Sequence, residues 1–304
     1  MINVVFMGTP EYAKEILDAL IKANDINIKA IFTQPDKRVG RKKILTPPPV
    51  KVLAKEHNIE VFQPTTLRDK NIIKKLKNLK PDFIVVAAYG QLLPKDVLEI
   101  APSINLHASI LPLYRGASPI QQALLNGDEY SGVTAMLMDE GLDTGDILGF
   151  SFIKTTEAPT LPLMMSKLSK MASSLTLSTL REFDNLNPIA QLNAISSKCK
   201  KIKKADGLVD FSDANSLYRK YSAYYGWPGV YLESGLKLHD IELINCNKNY
   251  KSGQILDIIG DSIIVGCQKG ALKINSLQPP SKAKMSAKSY ILGKRIDIGD
   301  TLFW

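Results

Sequence analysis

The 304 residues, 45% of them hydrophobic, supply enough apolar surface for one large or two medium folded units. No apolar run reaches the roughly 20 residues of a membrane span, and the opening MINVVFMGTP lacks the charged-then-apolar layout of a secretory leader, so a cytoplasmic protein off the membrane is expected. Cys199, Cys246 and Cys267 have no paired spacing and could be joined only by His57, His107 and His239, which argues against a disulfide framework or a metal cluster.

In chain order, INVVFM (2–7) is a short β-branched run closed by Gly8-Thr9-Pro10, and residues 11–24 repeat apolar positions at helical spacing. Further strands are expected at 28–33, 61–63, 83–90 and 103–107, with helices at 50–58 and 71–79. Continuous apolar strands alternating with amphipathic helices predict an α/β unit, a Rossmann-like, doubly wound and mainly parallel sheet. The first turn keeps one glycine of the dinucleotide pattern G-x-G-x-x-G, and no G-x-x-x-x-G-K-[ST] occurs, which argues against a nicotinamide site and a nucleoside triphosphate site of those kinds.

The segment QPDKRVGRKKILTPPP (34–49) is too long for an ordinary strand-to-helix connection. Its cations Lys37, Arg38, Arg41, Lys42 and Lys43, with one glycine and three consecutive prolines, predict a mobile basic arm on a stiff base, suited to phosphate contacts. Charge is uneven on a larger scale too: residues 1–189 hold 22 Lys and Arg against 20 Asp and Glu, and residues 190–304 hold 17 against 10. A cationic last third favours a polyanionic partner.

The strand SINLH (103–107) ends in a proline-broken loop and carries two polar residues, Asn105 and His107, that alternation places on one face. Open α/β sheets bind ligands at the carboxyl ends of their strands, so both side chains are expected to face one cleft. After the strand GVTAMLM, the loop to residue 149 offers Asp139, Glu140, Asp143 and Asp146. A carboxylate beside His107 would orient the imidazole, and Asn105 could donate to an oxygen gaining negative charge. No G-x-S-x-G elbow or placed cysteine supplies a nucleophile, so the pattern points to acyl transfer without a covalent enzyme intermediate.

Residues 161–183 have the length and spacing of a long helix. A stretch with little periodicity follows, read as a linker over 185–207, and beyond it short strands alternate with turns to residue 279. This part predicts a small OB-like β-barrel of five strands, with the aromatic segment YSAYYGWPGVYL (221–232) in its core rather than stacked on bases.

Together, NLHASILPLYRGASPIQ (105–121), the spacing of 36 residues from His107 to Asp143 and GLDTGDI (141–147) resemble the 10-formyltetrahydrofolate-dependent formyltransferases. VFMGTPEYA near the start, TQPDKRVGRKK with PPPVKVLA, and LQPPSKAKMSA (277–287) are similar to the branch of that family acting on methionyl-tRNA. The likeness covers essentially the whole chain. It implies a catalytic domain over 1–184, the linker over 185–207 and a tRNA-binding OB-like domain over 208–304. It also implies a catalytic set of Asn105, His107 and Asp143, a folate loop of Ser109, Ile110, Leu111 and Pro112, and tRNA contacts from Lys37, Arg38, Arg41, Lys42 and Lys43. The substrates implied are 10-formyltetrahydrofolate, released as tetrahydrofolate, and methionyl initiator tRNA, with no metal and a monomeric chain. Members often carry Arg-Trp-Arg-Gly where this chain has Leu113-Tyr114-Arg115-Gly116, one cation fewer at the mouth. Two alternatives stay open: an amino-sugar nucleotide as the acceptor, or a non-catalytic RNA-binding protein.

Overall fold

A computed structural model describes residues 1–302 apart from Arg41, Ala158 and Asn247. Contacts divide the chain into two units, one of Met1–Ile120, Glu129–Ala158 and Leu163–Lys200, the other of Gln121–Asp128, Pro159–Pro162 and Lys201–Trp304. Strands in the first unit are β1 (Ile2–Gly8), β2 (Ile26–Phe32), β3 (Lys37–Val39), β4 (Ile44–Thr46), β5 (Val61–Phe62), β6 (Phe83–Ala87), β7 (Ser103–His107), β8 (Arg115–Gly116), β9 (Tyr130–Leu137), β10 (Ile147–Lys154) and β11 (Lys198–Cys199).

Seven of these form one sheet in the order β10-β9-β7-β6-β1-β2-β5. The strands from β5 to β7 along that order are parallel, whereas β9 and β10 join antiparallel, as the mainly parallel expectation requires. Val4 to Met7 on β1 and Ile84 to Val86 on β6 are buried on both faces, which is why these strands read as unbroken apolar runs. The chain moves outward from β1 to β2 and β5, then returns to the other side of β1 as β6, so the strand order reverses between β1 and β6. The helix Glu11–Lys22 buries Tyr12, Ala13, Ile16, Leu17 and Leu20, a stripe at three- and four-residue intervals. Its Tyr12 hydroxyl donates to the Leu106 carbonyl at 3.2 Å, tying the first turn to the strand that bears Asn105 and His107.

The basic arm is a β-hairpin rather than an irregular loop. Strands β3 and β4 pair antiparallel from Lys37↔Thr46 to Val39↔Ile44, and Gly40 takes the left-handed φ of +72° that the turn requires. Val39, Ile44 and Thr46 have β-forming side chains, but the interleaved cations hide that pattern in the sequence. At the hairpin's base the Lys51 ammonium donates to both Asp36 carboxylate oxygens at 2.8 Å and to Gln63 at 2.7 Å, while the Gln63 amide donates back to Asp36 at 2.8 Å.

The second unit carries a 6-stranded antiparallel sheet of β12 (Val230–Tyr231), β13 (Lys237–Ile244), β14 (Gln254–Ile259), β15 (Ser262–Gly266), β16 (Ala271–Gln278) and β17 (Met285–Ser286). The path β12-β13-β16-β15-β14 has the expected five strands, with the two-residue β17 paired to β16. Phe211, Leu238, Ile263, Val265, Leu272 and Ile274 pack its core. The aromatic segment divides: Tyr224 is buried, whereas Tyr225 and Trp227 are exposed, because the helix Ala214–Ala223 ends there and the chain turns outward through Gly226 at a φ of +81°. Placement in the core therefore holds for Tyr224 and fails for Trp227.

Candidate active site

Asn105 and His107 are two positions apart on β7 and point to the same side, as alternation demands. Both are buried, at 8% and 6% exposure, a setting in which polar groups need partners. Asp143 supplies one for each. Its Oδ1 accepts from the Asn105 amide nitrogen at 3.3 Å and lies 3.7 Å from His107 Nδ1. Its Oδ2 accepts the Gly116 backbone N–H at 2.8 Å. The three residues named from the sequence therefore meet around a single carboxylate.

The imidazole is held from its other side. His107 Nε2 lies 3.0 Å from the Tyr114 carbonyl oxygen. A carbonyl can only accept, so Nε2 carries a proton, and Nδ1 is the ring nitrogen turned towards Asp143. The same carbonyl accepts from the Cys199 thiol at 3.2 Å. Burial raises the pKa of that thiol, which keeps it a donor rather than a thiolate. Gly116 follows at a φ of +123°, and a Cβ there would run into the Cys199 carbonyl oxygen, so this position needs glycine.

Of the other acids in the loop, Asp139 is used up locally, accepting from the Gly141 N–H at 2.9 Å and the Thr144 hydroxyl at 2.7 Å. Glu140 and Asp146 face solvent. Asp143 alone of the four turns to β7, and it does so at a left-handed φ of +54°, a strained conformation for a residue with a side chain.

The loop Ser109 to Pro112 lies directly after His107. Ser109 and Leu111 turn inward: the Ser109 hydroxyl donates to the Leu113 carbonyl at 2.6 Å, and Thr134 bridges the Ser109 carbonyl and the Leu111 N–H at 2.7 and 3.0 Å. Leu111 packs on Met136 and Ile147, which leaves Ile110 and Pro112 partly exposed. Arg115, the cation remaining at the mouth, is also turned inward and 5% exposed, its guanidinium held by Gln191 at 2.7 and 3.0 Å and Asn193 at 2.9 Å.

Sequence reasoning missed two features. One is a cleft of about 660 Å³ lined by Thr66, Arg68, Gln91, Leu93, Lys95 and Glu140 among others, within the volume range of small-molecule sites. It opens between the segments after β5 and β6 and reaches the loop that carries Asp143, and its only sequence signal was position at the carboxyl ends of parallel strands. The other is the segment from Ile189 to Cys199, which lacks periodicity. It pairs Ile189 with Ile147, sets Gln191 against the Asp143 loop, accepts the Tyr114 N–H on the Ser197 hydroxyl at 2.9 Å and adds β11 to β8. Of the five arm cations, Lys37, Arg38, Lys42 and Lys43 are exposed on the hairpin and Arg41 lies outside the described residues.

Residues 2–180 match the formyl transferase family model, and residues 201–295 match that of the formyl transferase C-terminal domain. Methionyl-tRNA formyltransferase from Sulfurimonas denitrificans is 54% identical over 300 residues, covering 99% of this chain and 99% of that protein. The enzyme of the same name from a Nitratiruptor species is 52% identical over 303 residues, covering 99% and 100%. The chain belongs to the methionyl-tRNA formyltransferase family. Methionyl-tRNA formyltransferases thus share both units, since the identity runs the full length. More distant solved structures share the fold. An N-formyltransferase from Helicobacter canadensis, solved with folinic acid and dTDP-3-aminofucose, has a TM-score of 0.68 at 18% identity, covering 94% of this chain and 100% of that one. HypX from Aquifex aeolicus, solved with tetrahydrofolic acid, has a TM-score of 0.60 at 16% identity over 96% of this chain, which spans 47% of that protein.

Proposed function

We propose that this chain transfers the formyl group of 10-formyltetrahydrofolate to the α-amine of methionine on initiator tRNA, releasing tetrahydrofolate. The reading is carried by the convergence of Asn105, His107 and Asp143 on one carboxylate oxygen, in a chain whose relatives of that name match it from end to end. The amine nitrogen bonds to the formyl carbon, and the carbonyl oxygen takes up the electron pair. Asn105 has two amide hydrogens, of which Asp143 engages one, so the second is available to the tetrahedral oxyanion. With Nε2 committed to the Tyr114 carbonyl, His107 exchanges protons through Nδ1, on the side it shares with Asp143. Asp143 accepts the proton from the amine as the new bond forms. That proton goes to N10 of the folate as the old carbon–nitrogen bond breaks, which restores the carboxylate.

A cleft of about 660 Å³, lined in part by Glu140 three residues before Asp143, offers the formyl donor an open surface in addition to the loop Ser109 to Pro112. Arg68 and Lys95 in that cleft are suited to the donor's glutamate carboxylates. Lys37, Arg38, Lys42 and Lys43 offer the acceptor stem a phosphate grip.

The test is formyl transfer from 10-formyltetrahydrofolate to methionyl initiator tRNA, beside an amino-sugar nucleotide and a control without acceptor. Transfer to the tRNA alone supports the reading. Transfer to the sugar keeps the chemistry and overturns the acceptor, and failure to bind a folate analogue overturns the enzyme assignment.

A further inference from the structure

Asp143 sits at the centre of the site in a strained backbone conformation, so something must hold it there. One restraint is the Gly116 N–H on its carboxylate. A second lies in the aperiodic segment. The Gln191 amide nitrogen donates to the Asp143 carbonyl at 3.0 Å and to the Gly145 carbonyl at 2.7 Å, using both of its hydrogens on the turn that carries the carboxylate. Gly145 itself is pressed so closely on the Leu137 carbonyl that a Cβ would collide with it, so the turn has little room to settle elsewhere.

The orientation of that amide is fixed by chemistry. Arg115 has only hydrogen-bond donors, and its Nε and Nη2 both aim at the Gln191 side-chain oxygen, at 3.0 and 2.7 Å. The oxygen must therefore face the guanidinium, and the NH₂ must face the two carbonyls. Asn193 takes a further hydrogen of Nη2 at 2.9 Å. Arg115 follows the residue whose carbonyl holds His107, and precedes the one whose N–H holds Asp143. Its guanidinium is 5% exposed and held by these two amides, so its place is tied to the segment it orients.

We infer that Gln191, oriented by Arg115, is a positioning residue that fixes the Asp143 turn and through it the carboxylate at His107 and Asn105. The inference rests on the proposed formyl transfer. Gln191 lies behind the turn and is bonded to its backbone, so its loss should slow the chemical step and leave binding of both substrates in place. Non-additivity is expected too, because the effect of Gln191 passes through the Asp143 carboxylate.

The experiment measures kcat and KM for donor and tRNA in the full chain carrying Gln191→Met, of similar size without the amide, and separately in Asp143→Asn and the double variant. Gln191→Met should lower kcat about 10- to 100-fold, with each KM within about threefold of wild type, as for loss of an interaction made in the transition state alone. In the Asp143→Asn background the same change should cost less than about threefold. Gln191→Glu is the second variant: it keeps an acceptor for Arg115, now charge-assisted, but faces the two carbonyls with an oxygen that cannot donate. It should fold and should show the same split between kcat and KM. Full kcat in both Gln191 variants, a loss confined to KM, or an equal loss with and without the Asp143 carboxylate would overturn the assignment while wild type remains active. A wild-type chain that transfers nothing to methionyl-tRNA overturns the underlying reaction, and this assignment with it.

Discussion

Asn105 was readable as a site residue because an amide beside a histidine on an apolar strand has to be explained. Removing an oxyanion donor costs roughly 10²- to 10³-fold in rate. Asn105→Ala should therefore lower the single-turnover transfer rate by about that much while the apparent affinity for each substrate stays near wild type, and a rate within about threefold of wild type would exclude the role. Gly116 makes a different prediction. It combines a φ of +123° with a backbone carbonyl where a Cβ would sit, so Gly116→Ala forces the strand pair β8 and β11 apart. A loss of about 1–3 kcal/mol is expected, seen as a melting temperature lower by several degrees, together with lost activity. The pairing of Asn105 with His107 was legible from a period of two. That Asp143, out of four acids, would be the one to meet them came from the family resemblance, because the loop's glycines set its path and not its periodicity. Gln191 left no trace, since its role depends on two backbone carbonyls and an arginine far away in sequence.

At the scale of elements, the strands β1, β2, β6 and β7 and the long helix followed from the apolar pattern, whereas β10 and the helix Pro119–Asn126 were not expected from it. The long helix Leu161–Arg181 ends as the periodicity indicated, and its last residue is tied to the turn before β2 by two hydrogen bonds from Arg181 to Asp25, at 2.8 and 2.9 Å. That guanidinium lowers the Asp25 pKa to about 2. A depressed carboxylate stabilises the fold at pH values above its unfolded value, near 3.9, and the contribution disappears as pH falls through about 2. Asp25→Asn should thus melt slightly below wild type at pH 6 and converge with it towards pH 2, by a small amount because the pair is half-exposed. The basic hairpin is the element whose form was hidden, since charged side chains at an exposed ribbon carry no burial signal. With its base fixed by Asp36, Lys51 and Gln63, the hairpin should act as one phosphate-binding device. Replacing Lys42 and Lys43 together by alanine should raise KM for tRNA, leave KM for the folate unchanged, and reduce the slope of log affinity against log salt by about 2.

Over the whole molecule, the asymmetry of charge was the feature composition made plainest. Seven net positive charges lie in residues 190–304, against two before them. If the two units together meet 6–10 phosphates, tRNA affinity should fall about 10³- to 10⁵-fold between 50 and 200 mM salt, while folate affinity changes little. Filter binding across that range would expose a wrong assignment of the polyanion. The layered architecture was equally legible, because each unit's strands kept the pattern of its own burial. What composition could not show is where the catalytic geometry stops along the chain. Ile189, Gln191, Ser197 and Cys199 all hold the neighbourhood of His107 or Asp143, although no helix or long strand contains them. For anyone exchanging the cationic unit between homologues, this sets the splice point. A joint made just past the long helix would import a foreign tether into the surroundings of Asp143 and His107, and slow turnover could be mistaken for poor tRNA recognition. A joint after Lys200 keeps that tether with the turn it evolved beside, so that any change in the chimera can be ascribed to the grafted unit.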